Sequence, residues 1–374
     1  MARAALPPAS RLRSPAGRRT GRGAQSNASG RFEAEKREIE DDGWGGLEAL
    51  ETGRPKTSVT VETPRTIIAR NTSPDIPFDR SINPYRGCEH GCPYCFARPS
   101  HAFMGLSPGL DFERRLFAKP DAGRLLAREL SSKSYQCRPI AIGTNTDPYQ
   151  PQEKNWRIMR GVLATLARFN HPVSILTKNA GVTRDLDILA PMAAKGLVKV
   201  GLSITTEDRR LANVMEPRAS TPDKRFEAVR ILTDAGVPTT VMTAPIILGL
   251  NDHEIEALLA RAANAGAREA GYTLLRLPQE VAQIFREWVE THFPDRASRI
   301  IRLLQETHGG RDHDPQFGKR VRGEGPHAEM VSARFKRAAA RLGLEKSTFA
   351  LRTDLFAKPK PETPQLSLFG ESEA

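Results

Sequence analysis

SINPYRGCEHGCPYCFAR, residues 81–98, decides how this chain is read. Three of its four cysteines, Cys88, Cys92 and Cys95, fall here within eight residues. A disulfide framework needs cysteines spread through a small chain, so the clustering points to a reducing compartment and a metal. Soft thiolates suit zinc or an iron–sulfur cluster. Zinc calls for a fourth ligand, for which His90 or His101 stands close in sequence. A ferredoxin-type cluster calls for a fourth cysteine nearby, and there is none. A 4Fe–4S cluster on three thiolates leaves one iron open for a small molecule, as a catalytic metal needs.

Downstream, short apolar runs alternate with helical spacing. RPIAIGT (138–144), PVSILT (172–177), LVKVGLSI (197–204), PTTVMTAP (238–245) and AGYTLLRL (270–277) read as strands. Between them, stretches such as KNWRIMRGVLATLARF carry apolar residues at intervals of three and four, and PDKRFEAVRILTDAG and NDHEIEALLARAANAG end in the Gly that C-caps favour. With a first strand near 81–87, about six βα units result, which predicts an α/β fold with a parallel sheet and right-handed crossovers. Six units are too few for a closed eight-unit barrel and fit a partial (β/α)6 barrel. Chemistry in such folds gathers at the C-terminal ends of the strands. After Leu277 the pattern turns helical, interrupted by the Gly- and charge-rich loop GGRDHDPQFGKRVRGEGPH. The expected organisation is a disordered basic arm and acidic linker over 1–60, the partial barrel over 65–278, a helical extension over 279–350 and a flexible tail over 358–374.

The spacing C-x-x-x-C-x-x-C, with Tyr94 before the last cysteine, resembles the radical S-adenosylmethionine (SAM) enzymes. Together with GTNTDPYQPQE (143–153), ILTKN (175–179) and RDLDIL (184–189), it is similar to their spore photoproduct lyase-like branch, often called DNA repair photolyases, over roughly residues 65–350. The resemblance implies a 4Fe–4S cluster on Cys88, Cys92 and Cys95, with SAM bound through its amino and carboxylate groups at the open iron. It also implies an electron donor such as flavodoxin or ferredoxin, and reductive cleavage of SAM to a 5′-deoxyadenosyl radical that takes a hydrogen atom from the substrate. On the same footing Tyr94 joins the cofactor-binding set. Thr144, Asn145 and Asp147 fall where the SAM amino group is held, or else form an Asp–Pro turn. Ser203 and Thr205 fall near the ribose hydroxyls, or serve β-propensity. Lys178 would meet a carboxylate or phosphate, or be a surface charge; Arg218 would fork onto the SAM carboxylate, or form a surface ion pair. Spore photoproduct lyases use a further cysteine as hydrogen-atom donor. Cys137 is the remaining one, yet it precedes a strand, at the end away from the chemistry, where an ordinary buried cysteine is expected.

Composition adds a partner. The 374 residues carry 56 basic and 44 acidic side chains, a formal +12, which favours nucleic acid or serves solubility. No apolar run spans a membrane and no apolar h-region follows the basic N-terminus, so a cytoplasmic protein is expected. Near the end, Gln365, Leu366, Leu368 and Phe369 of QLSLF match the pentapeptide by which bacterial replication and repair proteins dock on the sliding clamp. The segment sits on a Pro-rich linker and either reaches a clamp or folds back on its own core. The combined expectation is a radical SAM enzyme acting on nucleic acid in DNA photoproduct repair. Modification of RNA or protein, or a clamp-associated iron–sulfur protein that binds DNA without catalysis, are its rivals.

Overall fold

The structure, a computed structural model, describes residues 22–33, 56–345 and 350–359. Its strands are β1 (Ser58–Val61), β2 (Ile68–Arg70), β3 (Arg80–Ile82), β4 (Tyr85–Arg86), β5 (Arg115–Ala118), β6 (Ile140–Ile142), β7 (Val173–Thr177), β8 (Val198–Ser203), β9 (Thr239–Ile246) and β10 (Glu269–Leu274). Seven of them form one sheet in the order β10-β9-β8-β7-β6-β3-β2. Every neighbouring pair from β3 to β10 is parallel, and β2 alone runs antiparallel, against β3. The six parallel strands are the expected (β/α)6 partial barrel. Their central members are near-continuous apolar runs because helices cover one face and the barrel interior the other. Val198, Val200 and Leu202 of β8 are all buried. The crossover helices bury one stripe each: Ile158–Arg168 turns Ile158, Val162 and Leu166 inward. A second sheet, β1-β5-β4, stands beside the segment that follows β3.

The C-terminal extension is helical, as Val281–His292, Ala297–Glu306 and Pro326–Arg341. It is not an appendage. The first two helices build a second core with Cys92, Tyr94, Leu211, Met215 and Ile247, centred on Trp288 and Phe285. The last packs on the helix Ile255–Asn264 and sets Phe335 against Tyr272 of β10, with ring centroids 4.6 Å apart. The segments on either side of it cover the open edge of the sheet: the β10 amides of Ala270 and Leu274 donate to the carbonyls of Leu344 and Val321 at 3.0 Å.

One expectation is corrected. Within the arm taken as disordered over 1–60, residues 22–33 pack against the barrel, with Ala24 buried among Leu110 and Ile284. Small residues gave no apolar pattern to read, but they let the backbone approach closely and pair. Residues 350–359 also dock, across the N-terminal ends of the strands. Arg352 N–H donates to Gly196 O at 3.0 Å, Ala357 N–H donates to Phe169 O at 3.1 Å, and Phe356 packs on Tyr135 and His171. Gln365, Leu366, Leu368 and Phe369 lie outside the described residues. Among the described residues no helix is long and apolar enough to cross a membrane.

Candidate functional site

Strand β3 delivers the chain to the C-terminal end of the sheet, where the cysteine loop begins. Gly87 turns it with φ of 75°, and a Cβ there would meet Phe112 O at 2.8 Å and His101 Cε1 at 2.9 Å. The loop is pinned by its backbone: Cys88 N–H donates to Phe112 O at 3.0 Å, and Cys95 N–H to Cys92 O at 3.2 Å. From the second βα connection, Thr146 Oγ1 donates to Gly87 O at 2.7 Å, and Gln150 accepts from Glu89 N–H at 2.9 Å. Cys88 and Cys92 are buried and Cys95 half-buried. Cys95 touches both the group of Cys88, Ala97 and Phe112 and the group of Cys92 and Tyr94. Burial, then the Asp147 charge and the two neighbouring thiols, push the Cys88 thiol well above its ordinary range. Burial and the Glu216 charge push Cys92 up to about 12.

The donor set fits an iron–sulfur cluster. Three soft thiols come from one loop, and Cys88 feels both Cys92 and Cys95, the donor chemistry that a multi-iron cluster takes. Among the described residues no three His, Cys, Asp or Glu side chains gather as ligands of a single metal ion. The two histidines considered for zinc have other partners. His101 Nε2 lies 3.0 Å from Arg115 O, and His90 Nδ1 lies 3.4 Å from Asp147 Oδ2.

The strand ends bring most of the other expected residues to the same mouth, in roles the sequence did not specify. Thr144 and Asn145 are tied to Asn83: the Asn83 amide donates to Thr144 Oγ1 at 3.1 Å, and Asn145 N–H donates to Asn83 Oδ1 at 2.9 Å. Asp147 is only slightly exposed and has both oxygens engaged, by Thr177 Oγ1 (2.6 Å), Tyr149 N–H (2.9 Å), Lys178 N–H (2.7 Å) and His90. Burial alone would raise its pKa, but His90, Thr177 and the Lys178 amide hold it at about 2. It locks the ends of β6 and β7 to the cysteine loop. Lys178 Nζ donates to Ser203 Oγ at 3.0 Å and stands 6.0 Å from the Tyr94 ring centroid. Thr205 Oγ1 and Tyr94 Oη both donate to Glu216. Arg218 pairs with Glu89 at 3.0 Å, inside the cysteine loop, and its N–H donates to His90 O. Cys137 is not part of this group. It precedes β6, half-buried at the opposite end of the sheet, with its thiol pushed up to about 11 by burial.

Glu216 and Arg225 were missed. They form a buried ion pair at 2.5 Å, and Arg225 also donates to Ser203 O at 2.9 Å. The only sequence signal was an acid two residues before Arg218 in MEPRAS. The charged loop after Gly310 pairs Lys319 with Glu324 inside the loop, and Arg320 with Asp75 and His327 with Glu306 outside it.

A partial parallel barrel with a three-thiol loop at the mouth defines a metal-cluster protein of the α/β class. Residues 82–262 match the Radical SAM superfamily. An uncharacterized protein of Mycobacterium tuberculosis is 35% identical over 232 residues, 62% of this chain and 68% of that one. One of Methanocaldococcus jannaschii is 28% identical over 173 residues, 46% of this chain and 62% of that one. Among solved structures, a spore photoproduct lyase complexed with dinucleoside spore photoproduct superimposes with a TM-score of 0.56 at 17% identity, covering 82% of this chain and 85% of that one. The chain belongs to the radical SAM superfamily, which implies a 4Fe–4S cluster and SAM.

Proposed function

We propose that this radical SAM enzyme acts on nucleic acid, as a lyase on DNA photoproducts. The carrying observation is a set of arginine-covered aromatic rings beside the cysteine loop. Phe32, Phe96, Phe103 and Phe317 are each about half exposed or more, at 57%, 49%, 70% and 56%. Each has a guanidinium over its ring: Arg276 lies 4.7 Å from the centroid of Phe96 and Arg320 4.7 Å from that of Phe317. Arg31 lies 5.2 and 5.7 Å from those of Phe32 and Phe103. Phe96 directly follows Cys95. Exposed rings offer faces on which unstacked bases sit, and guanidinium groups meet the backbone. Burial, then the Arg320 charge, depresses the Arg276 pKa, and Asp75, which pairs with Arg320, offsets part of that. The likeness to spore photoproduct lyases supports the same reading at the level of fold.

Cys88, Cys92 and Cys95 would hold the cluster. With SAM it supplies one-electron, hydrogen-abstracting chemistry. The chain's own residues shape the mouth: Asp147 fixes two strand ends, and Glu216 fixes Tyr94, Thr205 and Lys178. A flavodoxin or ferredoxin would deliver the electron. Gln365, Leu366, Leu368 and Phe369 would dock the enzyme on the bacterial sliding clamp.

The test is anaerobic turnover of the reconstituted protein with SAM and reductant, measuring 5′-deoxyadenosine with ultraviolet-irradiated DNA, untreated DNA, RNA or no nucleic acid. Irradiated DNA should stimulate its formation above the other three. Equal formation in all four would overturn the DNA assignment, and none in any would return the chain to a binding role.

A further inference from the structure

We propose that residues 22–33 are a clasp on the outer side of the cysteine loop, and that Glu113 is the positioning residue joining clasp to loop. Glu113 is fully buried. Its Oε1 accepts from Ala24 N–H at 2.8 Å and from Arg98 Nη2 at 2.5 Å, and its Oε2 accepts from Gly23 N–H at 3.2 Å. Arg98, also fully buried, donates Nε to Cys92 O at 2.9 Å and Nη1 to the carbonyls of Pro108 and Gly109, each at 2.9 Å. One carboxylate and one guanidinium therefore connect the N-terminal segment to the backbone of the middle cysteine. Charge-assisted bonds of this kind are about twice as strong as neutral ones.

The fit is steric as well as polar. A Cβ on Gly23 would lie 1.6 Å from Gly91 O and 3.1 Å from Pro93 Cδ, so residue 23 must be glycine for the segment to lie against residues 91–93. Gly91 itself has φ of 68°, and a Cβ there would come within 3.0 Å of Glu113 Oε2. Along its length the segment is fastened repeatedly. Leu110 N–H donates to Ser26 O at 3.3 Å, Asp111 N–H to Asn27 Oδ1 at 2.9 Å, and Ser107 Oγ to Ala28 O at 2.5 Å. Arg31 closes it on Glu280 at 2.7 Å. At the other end Arg22 reaches Thr57 Oγ1 at 3.0 Å, and Thr57 donates to Glu89 inside the cysteine loop.

None of these fastenings of the clasp is to a thiol. The clasp fixes the carbonyl framework of residues 91–93 and shields Glu113 and Arg98 from water. Without it, a buried ion pair would be opened to solvent and Cys92 would lose its fixed backbone. Outer-shell partners of metal ligands are worth about 10–100-fold in metal affinity.

The experiment compares the full chain, a chain lacking residues 1–33 and a chain lacking only residues 1–21. Each is reconstituted anaerobically, and iron and sulfide per chain and the rate of cluster loss in air are measured. Removing residues 1–33 should leave cooperative unfolding of the barrel while cluster loss accelerates about 10-fold or more. The shorter deletion should match the full chain. A synthetic peptide of residues 22–33 added in trans should slow the loss. A second readout uses no cluster: in the metal-free protein, proteolysis within residues 88–98 should be faster once the clasp is gone. If the long deletion fails to fold, Gly23→Val and Glu113→Gln in the full chain decide. Cluster retention and loop protection equal to the unaltered chain in both variants would overturn the proposal.

Discussion

Glu216 concentrates four side chains on one buried carboxylate: Tyr94, Thr205, Arg225 at 2.5 Å and Lys178 at 4.0 Å. Burial alone would raise its pKa, but Arg225 and Lys178 hold it at about 2. Removing one partner of such a pair strands the other charge, so Glu216→Ala should cost about 3–5 kcal/mol in urea unfolding of the metal-free protein. Glu216→Leu combined with Arg225→Met should recover much of that loss; no recovery would mean the pair is not what the site rests on. His171 gives the pH dependence. Burial lowers its pKa to about 4, and its ring nitrogens lie 3.0 Å from Pro172 O and 2.7 Å from Tyr135 Oη. The unfolded chain protonates this histidine first, near pH ~6.5, so the stability it contributes is full above that value and falls as pH drops toward 4. The drop amounts to roughly 3 kcal/mol. His171→Asn should therefore lose less stability between neutral pH and pH ~5 than the unaltered protein. The cysteines were legible because neither strand nor helix periodicity explains three of them at that spacing. Glu216 was not: its partner Tyr94 is 122 positions away, and a lone acid before an amphipathic helix reads as solvent-facing.

At the level of elements, periodicity located the parallel strands and the crossover helices, since burial on both faces leaves continuous apolar runs and burial on one leaves a stripe. Gly236 and Gly266 end their helices with φ of 79° and 90°, as the two terminal glycines predicted. The docking of residues 22–33 and 350–359 escaped, because their fastening is by backbone groups and single side chains from distant segments. What the helical extension does was equally hidden. Its last helix packs on Ile255–Asn264 and meets β10 through Phe335 on Tyr272, holding Val321 and Leu344 on either side of it against the strand edge. Phe335→Ala should cost about 3–5 kcal/mol. The uncovered β10 edge should also make the variant associate, read as a concentration-dependent sedimentation coefficient. A destabilised but strictly monomeric variant would mean that the backbone bonds from Val321 and Leu344 guard the edge by themselves.

For the whole molecule, the two ends of the barrel divide the work proposed for it. The cysteine loop and the arginine-covered rings lie at the C-terminal ends of the strands, and residues 350–359 leave from the N-terminal ends, a few residues before Gln365. A clamp held by the tail would not compete with DNA at the mouth, so deleting residues 360–374 should abolish clamp binding and leave DNA affinity unchanged. With a formal charge of +12, DNA affinity should fall steeply with salt, and single-stranded DNA separates the two components of the surface. Phe96→Ala and Phe317→Ala remove stacking faces, each expected to cost about 1–3 kcal/mol, with the slope of log affinity against log salt unchanged. Arg276→Gln removes a charge and should flatten that slope by about 0.7. Fluorescence anisotropy of a labelled oligonucleotide across a salt series measures both quantities for each variant. If the phenylalanine variants bind as tightly as the unaltered chain while Arg276→Gln still flattens the slope, the rings are merely sheltered by their arginines, and the mouth holds a backbone without holding a base.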